Sequence, residues 1–169
     1  MNHYNGSSSL LFIISAIKSL YVSNIVLWKL STVMLVFASY LCNASNYNET
    51  WLMFDYVTIY LIAISYINSW AINGLLTGSL ILEYNYSKDI ANTKNVALFL
   101  VGSKAIIYTY LYVDTFYFYS ILASSVAGVA IYNYRVHLHN QNIKTYTLFL
   151  TWCLHACVAN VIYVTAITA

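Results

Sequence analysis

Long apolar runs separated by short polar ones fill this chain from end to end. Runs near the length that a bilayer demands of a helix, roughly 17 to 25 residues, fall at 8–22, 25–42, 51–67, 70–84, 96–113, 116–132 and 146–168. The first and fourth are short, so five or six crossings are the alternative to seven. In lipid every backbone group must bond within its own segment, and the runs lack the two-residue alternation of outer-membrane strands, so the pattern predicts helices. No proline interrupts them. The expected fold is all-α: a polytopic membrane helix bundle of seven transmembrane helices, forming a single integral membrane domain over 1–169.

The polar stretches set the topology. Three are long, at 43–50, 85–95 and 133–145, and the alternate ones at 23–24, 68–69 and 114–115 are minimal. With seven spans, all the long connectors share one membrane face with the start of the chain. That face carries Lys88, Lys94, Arg135 and Lys144, against Lys18 and Lys29 near the other, which the positive-inside rule places in the cytoplasm. Four Asn-x-Ser/Thr sequons, at Asn5, Asn43, Asn48 and Asn85, would instead need it to be lumenal. In a chain so rich in Asn, Ser and Thr, chance sequons are expected.

Composition agrees with the pattern. Hydrophobic residues make up 61% of the chain and charged ones 7%, and the mean hydropathy is +0.68, well outside the range of soluble domains. The seven Lys and Arg are scattered singly, so no basic stripe for nucleic acid can be drawn. Cys42, Cys153 and Cys157 lie within or beside apolar runs and suggest no disulfide framework. Tyrosines at 108, 110, 112, 117, 119 and 132 crowd the ends of the fifth and sixth runs, as interfacial belts do.

Polar residues inside the apolar runs are where chemistry is to be sought, since lipid penalises them unless they face the bundle interior. Helical spacing puts Asp55, Thr58, Ile62, Ser65 and Ser69 on one stripe of the third run, and Thr32, Val36, Ser39 and Asn43 on one stripe of the second. In the seventh, Thr147, Thr151 and His155 recur every fourth residue. Ser39, Asn43, Asp55, Thr151 and His155 are thus expected near one end of the bundle. A carboxylate and an imidazole there would suit a metal or a polarised water. The plainer alternatives are a helix cap for Asp55 and a lone interhelical hydrogen bond for His155. In "CLHAC", Cys153 and Cys157 share a helix face while His155 projects to the opposite one, so the three do not close on one ion. "HLH" at 137–139 is expected in a solvated loop, and the mid-span Lys104 is expected to face a carboxylate or backbone carbonyls.

The stretch "FDYVTIYLIAISY" at 54–66, with an Asp opening the third of seven helices, resembles the hemolysin III and progestin/adipoQ receptor families, which stand with the alkaline ceramidases in the CREST superfamily. Those families carry Ser-x-x-x-His at the end of helix two, an Asp in helix three and His-x-x-x-His in helix seven. In the enzymes among them the histidines hold zinc and the Asp orients a water that attacks a lipid amide. Ser39 takes the serine place here, but Asn43 stands where the first histidine would, with Cys42 beside it as the substitute thiolate. Asp55 and Tyr56 match, and in helix seven Thr151 and His155 occupy the two histidine places.

For an active member the resemblance implies Asp55 and Ser39 as catalytic residues, and His155, Asp55 and Cys42 as ligands of zinc. A catalytic zinc generally takes three protein ligands and a water. Two of the three histidines are missing, which implies a non-catalytic, receptor-like or membrane-remodelling descendant with no cofactor. The alternative is a zinc-dependent lipid amide hydrolase with an altered ligand set. Expected partners are membrane lipids and a lipid or sphingolipid-like ligand, with no nucleic acid. A channel or carrier is disfavoured, because the inward polar residues thin out towards the face with short connectors.

Overall fold

The computed structural model describes residues 6–141 and 147–167, and in them the chain is helical almost throughout. A 3-10 segment, Ser7–Leu11, leads into α1 (Phe12–Val22). Then follow α2 (Val26–Ala44), α3 (Glu49–Ile67), α4 (Trp70–Ser87), α5 (Ala91–Tyr112), α6 (Thr115–Asn140) and α7 (Thr147–Thr165). Five of these, α2, α3, α5, α6 and α7, are long and apolar enough to cross a membrane. The short α1 and the polar-ended α4 fall outside that set, and these are the elements expected from the first and fourth runs.

Two connectors expected to be long are short. The polar stretch at 85–95 contributes its first residues to α4 and its last to α5, which leaves only 88–90 between the two helices. The stretch at 133–145 begins as the last turns of α6, so His137 lies on a helix and not in a loop. Polarity marks where a span leaves the hydrocarbon, not where the helix stops. With 26 residues, α6 is ~39 Å long at about 1.5 Å per residue, against a hydrocarbon core of about 30 Å. Without Pro or Gly after Gly128, nothing breaks the helix at the lipid boundary.

Packing neighbours run α1, α2, α3, α5, α6, α7 and back to α1, a closed ring of six, with α4 outside it against α3 and α5. The ring is apolar on its outside, unlike a water-soluble bundle, and buries hydroxyl residues beside an apolar core that includes Trp28, Leu35 and Tyr66. Large apolar side chains such as Leu30, Phe37, Phe99, Phe116 and Phe149 are exposed, while Ser15, Ser19, Thr32, Thr58, Thr109 and Thr165 are buried. Small hydroxyl residues let helices approach closely and bond across, and apolar ones suit lipid.

Hydroxyl and amide contacts tie the ring together. Ser15 Oγ on α1 donates to the Ala159 carbonyl of α7 at 2.6 Å. Trp28 Nε1 on α2 donates to Ser19 Oγ of α1 at 3.0 Å. Asn160 Nδ2 on α7 donates to Ser120 Oγ at 2.9 Å and Ser124 Oγ at 2.8 Å on α6. Outside the ring, α4 is held by Tyr60 and Thr77, whose hydroxyls meet at 2.5 Å. Its Glu83 carboxylate accepts from the backbone N–H groups of Asn92 and Thr93 at 2.9 and 2.8 Å, which caps α5.

Lys104 finds the backbone partners expected of it. Its Nζ donates to the carbonyls of Tyr66 at 2.5 Å and Ile67 at 3.3 Å, and lies 4.5 Å from the Tyr66 ring centroid. These are orphan carbonyls at the C-terminus of α3, where Asn68 turns the chain through the left-handed region at φ 50. A cation there also meets the negative end of the helix dipole.

Candidate functional site

The polar stripes of α2 and α3 do face inward, and they meet the interior at the end of the bundle beside the 45–48 turn. Ser39 and Asn43 are buried on α2. Asn43 Nδ2 donates to the Ser39 carbonyl at 2.8 Å, one helical turn back, and reaches Ser39 Oγ at 3.4 Å. The pair's further partner is Ser9, of the 3-10 segment: Ser9 Oγ donates to Ser39 Oγ at 3.0 Å and receives Asn43 Nδ2 at 3.4 Å. Gly6 comes so close to α2 that a Cβ would sit 2.9 Å from the Tyr40 ring and 3.0 Å from the Tyr40 carbonyl oxygen.

His155 approaches the same segment from α7. The backbone of Ser8 hydrogen-bonds the imidazole, and the Phe12 ring lies 5.1 Å from it, tilted by 45°. Among the described residues, His155 Nδ1 and the neighbouring Ser8 Oγ are buried without a hydrogen-bond partner. Thr151, one turn away, is buried as its stripe predicts. Cys157 faces away from His155, towards α6, where a Cβ on Gly128 would be 3.5 Å from its own Cβ. Cys157 is therefore a helix packer, as the spacing of "CLHAC" indicates.

Asp55 stands with a different set. The helix begins at Glu49, with Asn48 as the cap, its Oδ1 accepting from Thr50 N at 3.1 Å. Asp55 therefore lies beyond the first turn and is not a helix cap. Its electrostatic neighbours are Cys42 on α2 and Lys94 on α5. Lys94 Nζ also sits 4.0 Å above the Tyr56 ring. Arg135 of α6 donates to Tyr47 Oη at 2.7 Å. Desolvation raises the Tyr47 phenol above its ordinary value against the pull of Arg135, so at neutral pH it accepts that bond as a neutral phenol. Asp55 Oδ1 is buried and has no hydrogen-bond partner among the described residues.

Five residues were expected to converge. The structure brings Ser39, Asn43 and His155 around one short segment, and puts Asp55 and Cys42 together on the α3 and α5 side. Asp55 and His155 do not bond through Oδ1 and Nδ1, and α1 with its leading segment stands between α2 and α7. Among the described residues no three His, Cys, Asp or Glu side chains form a group able to hold a metal ion. His155, Asp55 and Cys42 do not form such a group among them.

Ser8, Ser9, Ser15 and Ser19 were missed as site and packing residues. The signal was present: with Phe12 and Ala16 they recur at three- and four-residue spacing, one inward helical face. The side chains of His139 and Thr147, together with Asn5 and Lys144, lie outside the described residues.

No family model, curated protein or solved structure matches this chain.

Proposed function

We propose that the protein is a multi-pass integral membrane protein related to the hemolysin III, adipoQ receptor and ceramidase group, acting without catalysis as a receptor-like or membrane-remodelling component. The observation that carries this reading is the closed hydrogen bonding of Ser39 and Asn43. At the places where the resemblance would set a serine and a zinc histidine, the two side chains bond to each other's turn and to Ser9. Polar groups used in this way hold helices together. The apolar outer face of the ring supports the membrane setting, and the partners it suits are lipids, including a lipid or sphingolipid-like ligand.

Elemental analysis of the detergent-solubilised protein tests the reading. The expected result is zinc far below one equivalent per chain, with Asp55→Ala and His155→Ala variants that still fold and insert. One zinc per chain, with hydrolysis of a lipid amide lost in either variant, overturns it in favour of the hydrolase.

A further inference from the structure

Between α1 and α7 the outside of the ring is grooved. The groove, of about 310 Å³, has Leu11 and Ile14 on one wall, Ala156 and Ala159 on the other and Tyr163 at one end. Its volume is at the lower end of the roughly 300–1,000 Å³ that ligand pockets take. From Ala156 to Tyr163 it is ~10 Å long at about 1.5 Å per residue. Two polar side chains border it, Ser15 and Asn160, and both spend their donors within the protein. Ser15 Oγ donates to the Ala159 carbonyl at 2.6 Å, and Asn160 Nδ2 reaches across to Ser120 and Ser124 of α6. What faces outward is apolar, with Ile14 63% exposed.

At the Tyr163 end stands a cation. Lys18 Nζ lies 5.2 Å from the Tyr163 ring centroid, one turn beyond Ile14 and one turn short of Val22, where α1 ends. Neither α1 nor the two helices that flank it, α2 and α7, contains an Asp or Glu. Asp114, the one acid beside the short connectors, caps α6 instead, its Oδ1 accepting from Phe116 N at 2.7 Å. An ammonium among apolar residues without a counter-ion selects an anion, and Lys and Tyr near the end of a span lie at headgroup level. We infer that the groove binds one anionic phospholipid, with its phosphate on Lys18 and the first part of an acyl chain along Ile14, Ala156 and Ala159. The groove leads from Lys18 away from the 23–24 connector, the direction an acyl chain takes from its headgroup. The inference rests on the membrane setting of the proposed function and on none of its kinship.

Native mass spectrometry of the purified protein in detergent, titrated with phosphatidylglycerol or phosphatidylcholine of the same acyl chains, tests this. The expected result is one phosphatidylglycerol per chain, held about fivefold more tightly than phosphatidylcholine, the factor that one lysine near the surface supplies. Lys18→Gln is expected to bring the two lipids to parity. Lys29→Gln, which removes the same charge from the neighbouring α2, is expected to leave the preference unchanged. Ala156→Leu fills the groove from an exposed position and is expected to weaken both lipids about tenfold, the cost of keeping two methylenes out. Equal binding of the two lipids by the unaltered protein overturns the proposal. So does a preference that survives Lys18→Gln or falls equally with Lys29→Gln, and so does binding that Ala156→Leu leaves untouched. If Lys18→Gln yields no folded protein, the other two variants still decide. The membrane setting has its own test, release by alkaline carbonate, so its failure is told apart from that of the site.

Discussion

At the scale of single residues, the interior is held by a few side chains whose partners are backbone groups. Lys104 is the clearest: lipid should have excluded it, and it stays because two orphan carbonyls of α3 need a donor. Lys104→Met is expected to destabilise the protein by about 1–3 kcal/mol, the cost of leaving those carbonyls unpaired, read as a lower midpoint of thermal unfolding in detergent. Asn43→Ala should cost about 1–2 kcal/mol, in the range of interhelical polar bonds, by the same measurement. Asn43 also heads a sequon, but its Nδ2, the atom a glycan would occupy, is buried and bonded to Ser39. Mass spectrometry of protein made in a glycosylating host is expected to find Asn43 unmodified, whichever way the chain is oriented.

Elements differ in how firmly they are held. The α6 and α7 pair is close enough for Gly128 to face Cys157 and for Asn160 to bond two serines. Gly128→Ala fits at ordinary contact distance, whereas Gly128→Leu must push the helices apart, with an expected loss of about 1–3 kcal/mol seen in denaturant or thermal titration. α4 is the opposite case, with few partners beyond Tyr60, Ile64 and the Glu83 cap. Glu83→Ala should release the first turn of α5, seen as faster amide exchange at Asn92 and Thr93 by a factor of about 5–10, that is ~1 kcal/mol, with α6 and α7 unaffected. Helix identity was readable at this scale and helix ends were not. The lipid boundary is written in polarity, while α2, α3 and α4 stop where left-handed residues turn the chain, at Asn46, Tyr47, Asn68 and Lys88, and α1 and α5 stop at Ser23 and Val113 without one.

For the whole molecule, the six-membered ring with large apolar side chains outside predicts behaviour on extraction. The protein is expected to stay with membranes through alkaline carbonate and to be released by detergent; release by carbonate alone would contradict an integral placement. The ring also sets which helix lies beside each inward stripe. Stripes on α2, α3 and α7 pointed to a common end of the bundle, and each does face inward. Spacing along a helix says which residues share a face, but not which helix lies next to it, so it could not show α1 entering between α2 and α7.

By itself the sequence determined the helical class, the apolar lengths of the spans, the inward stripes and that Lys104 must find a carboxylate or backbone carbonyls, because each of these follows from periodicity and from what lipid will not solvate. Only the tertiary structure decided that Ser8 and Ser9 fill the niche of Ser39, Asn43 and His155, and that Asp55 belongs with Cys42 and Lys94. Those outcomes depend on the order of helices around the ring, which is set by packing between segments far apart in the chain, and no local pattern encodes it.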